Sequence, residues 1–288
     1  MNNYITFETL GEIGNTCSQI QQYASLYSIA KKKGKTIVLT ESCVNNIYKH
    51  STGSSPGLKF MNLLDIDIPI VSDDISFIDI PVDINRIVDY NVFNLTTDIN
   101  YNITGRFDSF HYWYDDTDVR QAISDINLKP SLITTANNKL DEIKNKHNNK
   151  ITVSMHIRRG DYLLPQHNHY AKLDIQYYST AINEYFEDTD NYVFLIFSDD
   201  IVYCKEHLIE GENVEYMENN SEYMDMALMS LCDNNIIANS SFSWWSAYLN
   251  KNTDKIIVCP YNYVKSNSFA SHLNGNYYPQ EWNAIFNS

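Results

Sequence analysis

Of the five arginines in this chain (Arg86, Arg106, Arg120, Arg158 and Arg159), two are adjacent, in the run His156-Ile157-Arg158-Arg159-Gly160-Asp161-Tyr162. A guanidinium fork pairs with two oxygens at once, so two forks leaving an apolar segment together suit a diphosphate. The same letters fit a structural Arg–Asp ion pair, and the run alone leaves both readings open. Gly160 lets the backbone turn after the arginines. A second polar cluster, Ser198-Asp199-Asp200, follows the apolar run Tyr192 to Phe197. A carboxylate there could accept from a ribose hydroxyl or a guanine N–H edge, or it could cap the next helix. The third cluster is Asn239-Ser240-Ser241-Phe242-Ser243-Trp244-Trp245. A helix starting there offers free N–H groups, a partial positive charge and serine hydroxyls, which together make a phosphate seat. The alternative is an ordinary serine cap followed by packed tryptophans.

Such clusters need strand ends to hold them. Ile151 to Ile157 reads as a strand, Tyr192 to Phe197 as a buried parallel strand, and Asn235 to Ala238 as a short one. Between them lie helical patterns at Asp174 to Glu187, opening on an Asp cap, and at Ser221 to Cys232. Phe242 to Leu249 reads as a further helix, and Lys255 to Cys259 as a last strand before Pro260. The chain opens in the same style. Tyr4 to Phe7 is apolar and Gly11 to Asn15 is a loop. Ile20, Tyr23, Ala24, Tyr27 and Ala30 then recur at helical spacing, and Lys31 to Lys33 with Gly34 end that helix. Thr36 to Leu39 is the next strand. Residues 43–108 read as loops and short elements, Asp118 to Ile126 as helical, and Ser131 to Lys146 as a helix. The polar stretch Asn145 to Lys150 marks a boundary, giving domains 1–148 and 149–288. Alternating strands and helices predict α/β domains with doubly wound parallel sheets, whose ligands bind outside the carboxyl ends of the strands.

Composition narrows the partners. With 43% hydrophobic residues the chain can bury a sizeable core, and a formal net charge of −15 repels nucleic acid and anionic membrane. Five scattered cysteines lack any C-x-x-C spacing and predict free thiols in a reducing compartment, with no metal site. No apolar run is long enough to span a bilayer, so a cytoplasmic protein, at most peripheral to a membrane, is expected.

The clusters also resemble a known family, the α-1,2-fucosyltransferases of bacterial glycan synthesis and their eukaryotic relatives. Its H-x-R-R-G-D-Y is complete at His156 to Tyr162 and its F-S-D-D at Phe197 to Asp200. Its long late block resembles Asp225 to Leu249, DMALMSLCDNNIIANSSFSWWSAYL. A weaker similarity covers Gly105 to Ile123, around Arg106-Phe107-Asp108-Ser109. Near the start, Gly11-Glu12-Ile13-Gly14-Asn15 keeps the frame of the family's G-G-x-G-N-Q-x-F-Q-Y-A. There Glu12 replaces a small or basic residue, Thr16 replaces the Gln, and a short insertion precedes Tyr23-Ala24.

The resemblance implies a GT-B-like fold of two Rossmann-like domains with a nucleotide-sugar cleft between them. The first would hold the acceptor, an oligosaccharide or glycan, and the second the donor, GDP-fucose; a last helix is free to return to the first. It implies inverting transfer of L-fucose to a sugar hydroxyl, O-2 of a terminal galactose, with no cofactor and no divalent metal. The donor would be held by His156, Arg158, Arg159, Gly14, Asn15, Ser198, Asp199, Asn239, Ser240, Ser241 and Phe242. Arg158 or Arg159 would stabilise the departing GDP and Asn15 would help hold the sugar. Glu12 is the candidate base, with Asp161 as its rival and His169 and His111 as further candidates. Two alternatives stay open: the same donor with another acceptor or linkage, and a non-catalytic relative that binds a GDP-sugar or glycan.

Overall fold

The computed structural model describes residues 3–10, 15–45, 57–83, 86–105, 107, 109–208, 211–268 and 270–287. The chain divides into two compact units, residues 1–129 and 130–288.

In the first unit the strands are β1 (Tyr4–Thr6), β2 (Thr36–Ile37), β3 (Leu39–Thr40), β4 (Ile70–Val71), β5 (Ile78–Pro81) and β6 (Tyr101–Thr104). Its helices are α1 (Thr16–Lys33), α2 (Glu41–Asn45), α3 (Phe60–Leu63) and α4 (Thr117–Ser124). A parallel sheet runs in the order β2-β1-β6-β5, and β3 pairs with β4 as a separate ribbon. The run Thr36 to Leu39, expected as one strand, therefore serves two sheets: Ile37 pairs with Ile5, and Leu39 pairs with Ile70. Helix α1 ends where predicted. Gly34 takes φ 61°, the left-handed region open to glycine, and lysines 31–33 face the negative end of the helix dipole.

The second unit begins with α5 (Pro130–Lys146), which the expected boundary at 148 left on the other side. It packs on α8 (Glu222–Leu231), where Lys139 Nζ donates to Asn220 Oδ1 at 2.6 Å and Asn220 Nδ2 donates to Asp225 of α8 at 2.8 Å. The remaining strands are β7 (Ile151–Ile157), β8 (Tyr192–Ser198), β9 (Val214–Tyr216), β10 (Asn234–Ile236), β11 (Ile257–Pro260) and β12 (Asn283–Ile285). Helices α6 (Ile175–Tyr185), α7 (Ile201–His207) and α9 (Ser241–Tyr248) complete the set with α5 and α8. All six strands are parallel, in the order β12-β11-β10-β7-β8-β9. After β11 the described chain holds a 3₁₀ turn (Ser271–Leu273) and the edge strand β12, where a last helix was expected.

Strand β7 shows how the sequence divides between two faces. Val153, Met155 and Ile157 join the apolar core with Tyr177, Tyr178, Ala181 and Ile182 of α6. The alternate residues Thr152, Ser154 and His156 are buried polar groups, each with a partner: Asp233 Oδ2 at 2.8 Å, Asn235 Nδ2 at 2.7 Å and Ser243 Oγ at 2.9 Å. A period of two thus sends apolar groups to one helix layer and satisfied polar groups to the other. Caps fix the helix starts: Asp174 accepts the Tyr177 N–H and Ser221 accepts the Met224 N–H, both at 3.2 Å. Replacing Ser221 by alanine should cost about 1 kcal/mol of stability, read from the urea midpoint.

Candidate functional site

Counted from β7 as its first strand, the second sheet has the order 3-2-1-4-5-6. That order reverses between β7 and β10, and the crevice outside their carboxyl ends is where doubly wound sheets bind ligands. Arg158 and Arg159 leave β7 at that point, Asn239 and Ser240 follow β10, and Ser198 and Asp199 end the neighbouring strand β8. The structure therefore brings all three sequence clusters to the carboxyl ends of neighbouring strands in one sheet.

The arginines are held by carboxylates. Arg158 meets Asp161 Oδ1 through Nη2 at 2.6 Å and Asp199 Oδ2 through Nη1 at 2.8 Å. Its Nε is buried with no acceptor among the described residues. The Arg159 backbone N–H donates to Asp199 Oδ1 at 2.9 Å, and its Nε donates to Asp200 Oδ2 at 3.1 Å. The Arg159 guanidinium lies 3.3 Å from the centre of the Tyr203 ring, a close cation–π stack. Asp200 also caps α7 through the Tyr203 N–H, at 3.2 Å. That hydrogen bond, with Arg159 beside it, holds its carboxyl below the usual range. So the Arg–Asp pairing and the helix cap, both open alternatives on the sequence, are present here.

Gly160 opens the 3₁₀ turn Gly160–Leu163 that follows the arginines, and it has a second role there. A Cβ at this position would overlap Asp199 Oδ2, so glycine is what lets that carboxylate lie against the loop. Tyr203 and this close approach were missed because both depend on β8 lying beside β7. The only sequence signal was an aromatic residue three positions after Asp200.

Strand-end carbonyls are taken up by tyrosine hydroxyls. Tyr178 donates to His156 O at 3.1 Å, Tyr177 to Ile237 O at 2.7 Å and Tyr162 to Asn239 O at 2.9 Å. Tyr162 also stacks on Tyr170 with ring centroids 3.9 Å apart. His156 is 3% exposed, and burial, reinforced by nearby Arg158, pushes its pKa down to about 3. It is a neutral brace between β7 and α9. Asn239 is likewise buried, its amide donating to Ala171 O at 2.7 Å and Tyr263 O at 2.8 Å. Ser240 caps α9 by accepting the Phe242 N–H at 3.3 Å, and Ser241 and Phe242 remain half-buried at the helix start. Trp244 and Trp245 are buried packing residues, as the serine-cap alternative had it.

The other candidates belong to the first unit or to surface loops. Asn15 is the exposed N-cap residue of α1 and makes no side-chain capping bond. Glu12 and Gly14 lie outside the described residues, as do Arg106 and Asp108. His111 Nδ1 sits 3.2 Å from Asp115, and His169 packs beside Tyr170. Among the described residues, no cluster of three or more His, Cys, Asp or Glu is placed to hold a metal ion, and no helix is long and apolar enough to cross a membrane.

Comparison with known proteins gives a consistent family. The chain is 43% identical over 127 residues to the O-antigen biosynthesis glycosyltransferase WbnK of Escherichia coli, covering 42% of this chain and 41% of that protein. It is 40% identical over 119 residues to an alpha-1,2-colitosyltransferase of Escherichia coli, covering 38% of this chain and 40% of that protein. The matched stretch thus spans about two fifths of the length of these relatives. The fold is shared with the fucosyltransferase NodZ from Bradyrhizobium, with TM-score 0.53 and 14% identity over 86% of this chain and 92% of that one. NodZ has been co-crystallised with GDP and soaked with GDP-fucose. The model of glycosyl transferase family 11 matches residues 9–286, nearly the whole chain, and the chain belongs to that family.

Proposed function

We propose that this protein transfers L-fucose from GDP-fucose to a hydroxyl of an acceptor glycan, O-2 of a terminal galactose, with inversion at the anomeric carbon. The observation that carries this reading is the arginine pair at the switch point of a 3-2-1-4-5-6 sheet, beside the N-terminus of α9. In the reaction the bond from fucose C1 to the β-phosphate oxygen breaks as the acceptor oxygen bonds to C1. The acceptor proton passes to a carboxylate, for which Glu12 and Asp161 are the candidates, and charge builds on the departing GDP. Arg158 and Arg159, with the amides at the start of α9, offset that charge, which is the part a divalent metal plays in other transferases. The donor set in the second unit is His156, Arg158, Arg159, Ser198, Asp199, Asn239, Ser240, Ser241 and Phe242. His156 and Asn239 serve it by bracing β7 and β10. The five cysteines are free and buried, which supports a cytoplasmic setting.

A specific observation favours one second reading. One relative is named as an α-1,2-colitosyltransferase, so the donor sugar of this chain is a point to test alongside its acceptor. Purified protein is incubated with GDP-fucose, or separately GDP-colitose, plus EDTA and galactose-terminated acceptors, and the products are weighed by mass spectrometry. A fucosylated product that persists in EDTA, with linkage analysis placing it at O-2, is expected. Product from GDP-colitose alone would reassign the donor, and failure to bind either donor would sink the reading.

A further inference from the structure

The charges around Arg158 do not balance for an anionic ligand. Two guanidinium groups, Arg158 and Arg159, face three carboxylates, Asp161, Asp199 and Asp200, at ion-pair distance. The cluster carries an excess of negative formal charge, and a diphosphate would add at least two more charges of the same sign. Like charges gathered in a half-buried site repel at a cost that grows as water is excluded. One carboxylate must therefore leave its arginine when the diphosphate arrives, and the three are not equally free to do so.

Asp199 is fixed from both sides. Its Oδ1 accepts the Arg159 backbone N–H and its Oδ2 pairs with Arg158, while the carboxylate rests against Gly160, where even a methyl group would not fit. Asp200 is committed to the α7 cap and to the Arg159 Nε. Asp161 has neither kind of hold. It sits on the short 3₁₀ turn Gly160–Leu163, three residues from its partner, and its side chain is 42% exposed. Its Oδ1 is itself buried and lies 2.6 Å from Arg158 Nη2, yet it has no aligned hydrogen-bond donor among the described residues.

We propose that Asp161 is a displaceable counter-ion that occupies Arg158 Nη2 until a phosphate oxygen of the donor replaces it, whereas Asp199 is the permanent positioning residue that aims Arg158 at the ligand. This rests on the reading of the site as the GDP-sugar pocket. It assigns opposite effects to two carboxylates on the same guanidinium, which a merely structural role for both would not produce. Removing the Asp161 charge frees one fork of Arg158 and strengthens GDP binding. Removing the Asp199 charge leaves Arg158 unaimed and weakens it, and Gly160→Ala does the same by pushing the Asp199 carboxylate aside.

The test is GDP affinity by titration calorimetry in EDTA, for wild type, Arg158→Ala, Asp161→Asn, Asp161→Ser, Asp199→Asn and Gly160→Ala, with thermal melts to certify folding. Affinity is measured in place of turnover because Asp161 is also a candidate proton acceptor. Both Asp161 variants are expected to bind GDP about two- to fivefold more tightly than wild type, the worth of one partly exposed charge contact. Asp199→Asn and Gly160→Ala are expected to bind about tenfold or more weakly, the loss of a charge-assisted contact. Equal or weaker binding by a folded Asp161 variant, with wild type binding and Arg158→Ala not, overturns the counter-ion assignment. No GDP binding by wild type overturns the donor-site reading itself.

Discussion

Replacing Arg158 by alanine should lower kcat/KM for GDP-fucose by about 10²–10³-fold, the usual loss when a preorganised group facing developing charge is removed. Arg158 has the position for that role. It leaves the central strand β7 at the switch point, and Asp199 on the adjacent strand β8 orients it. Arg158→Lys should recover little of the lost activity. A lysine ammonium is a point charge on a flexible stem and cannot meet Asp199 on one nitrogen while presenting the other to phosphate. Arg158→Ala leaves Asp161 and Asp199 close together without the charge between them, and Arg158→Lys keeps the charge but cannot reach both carboxylates as the fork does, so some loss of stability is expected as well. The measurement is therefore made well below each variant's melting temperature, with GDP binding followed in parallel. A folded Arg158→Ala protein that keeps its activity within about threefold of wild type, far short of the loss expected for such a group, would remove this arginine from the donor site. Arg159 should matter less to turnover, because one face of its guanidinium is covered by Tyr203 and its Nε is bound to Asp200.

Much of this was legible in the sequence where local chemistry and burial agree. Strands β7 and β8 were found because a strand buried on both sides of a parallel sheet is apolar or β-branched along most of its length. Helices α6 and α8 were found because Asp174 and Ser221 cap them through their own side chains. Strand β6 was lost among loops although it is central to the first sheet, paired with β1 and β5. Its four residues, Tyr101 to Thr104, become a strand only through those neighbours. The edge strand β12 escaped for the same reason. Alternating elements predicted a doubly wound sheet but not its order, since strand order is set by which edge each crossover joins. That order is what selects the β7–β10 crevice.

At the site, the residue types were readable and their pairings were not. Arg158, Asp199 and Ser240 stand out as polar groups at the ends of apolar runs. That Asp199 touches Arg158, Arg159 and Gly160 together follows only from β8 pairing with β7 along seven residues, which brings Ser198 level with Ile157. The same adjacency gives Gly160, beyond its place at the start of a turn, the role of leaving space for a carboxylate. His156 changed most. In the motif it reads as a ligand contact, yet in the fold it points to the α9 side of β7, in line with Thr152 and Ser154, and is sealed there by Ser243.

That burial makes His156 the source of a large pH effect on stability. In the unfolded chain its imidazole takes up a proton near pH 6.5, while in the fold burial, with Arg158 nearby, holds it neutral down to about pH 3. Between those values the unfolded state binds the proton and the folded state does not, so folding stability falls as pH falls. The slope from this group is about 1.4 kcal/mol per pH unit. Asp225 works in the opposite sense. Burial raises its pKa to about 6 against the relief given by Asn220 and Lys139, so the folded state takes up that proton first and gains stability as pH falls through 6. The wild-type profile between pH 6 and 4 should therefore be flatter than either group alone would make it. The His156→Gln variant isolates the histidine. Its stability deficit relative to wild type, from urea unfolding, should be largest near pH 7.5 and should shrink by about 1.4 kcal/mol for each pH unit below 6.5. In Asp225→Asn the opposing gain is gone, and acid loss of stability should begin near pH 6.5 without relief. A deficit in His156→Gln that stays constant from pH 7.5 to 5 would mean that the imidazole takes up its proton as readily in the fold as in the unfolded chain, and that burial does not hold it neutral.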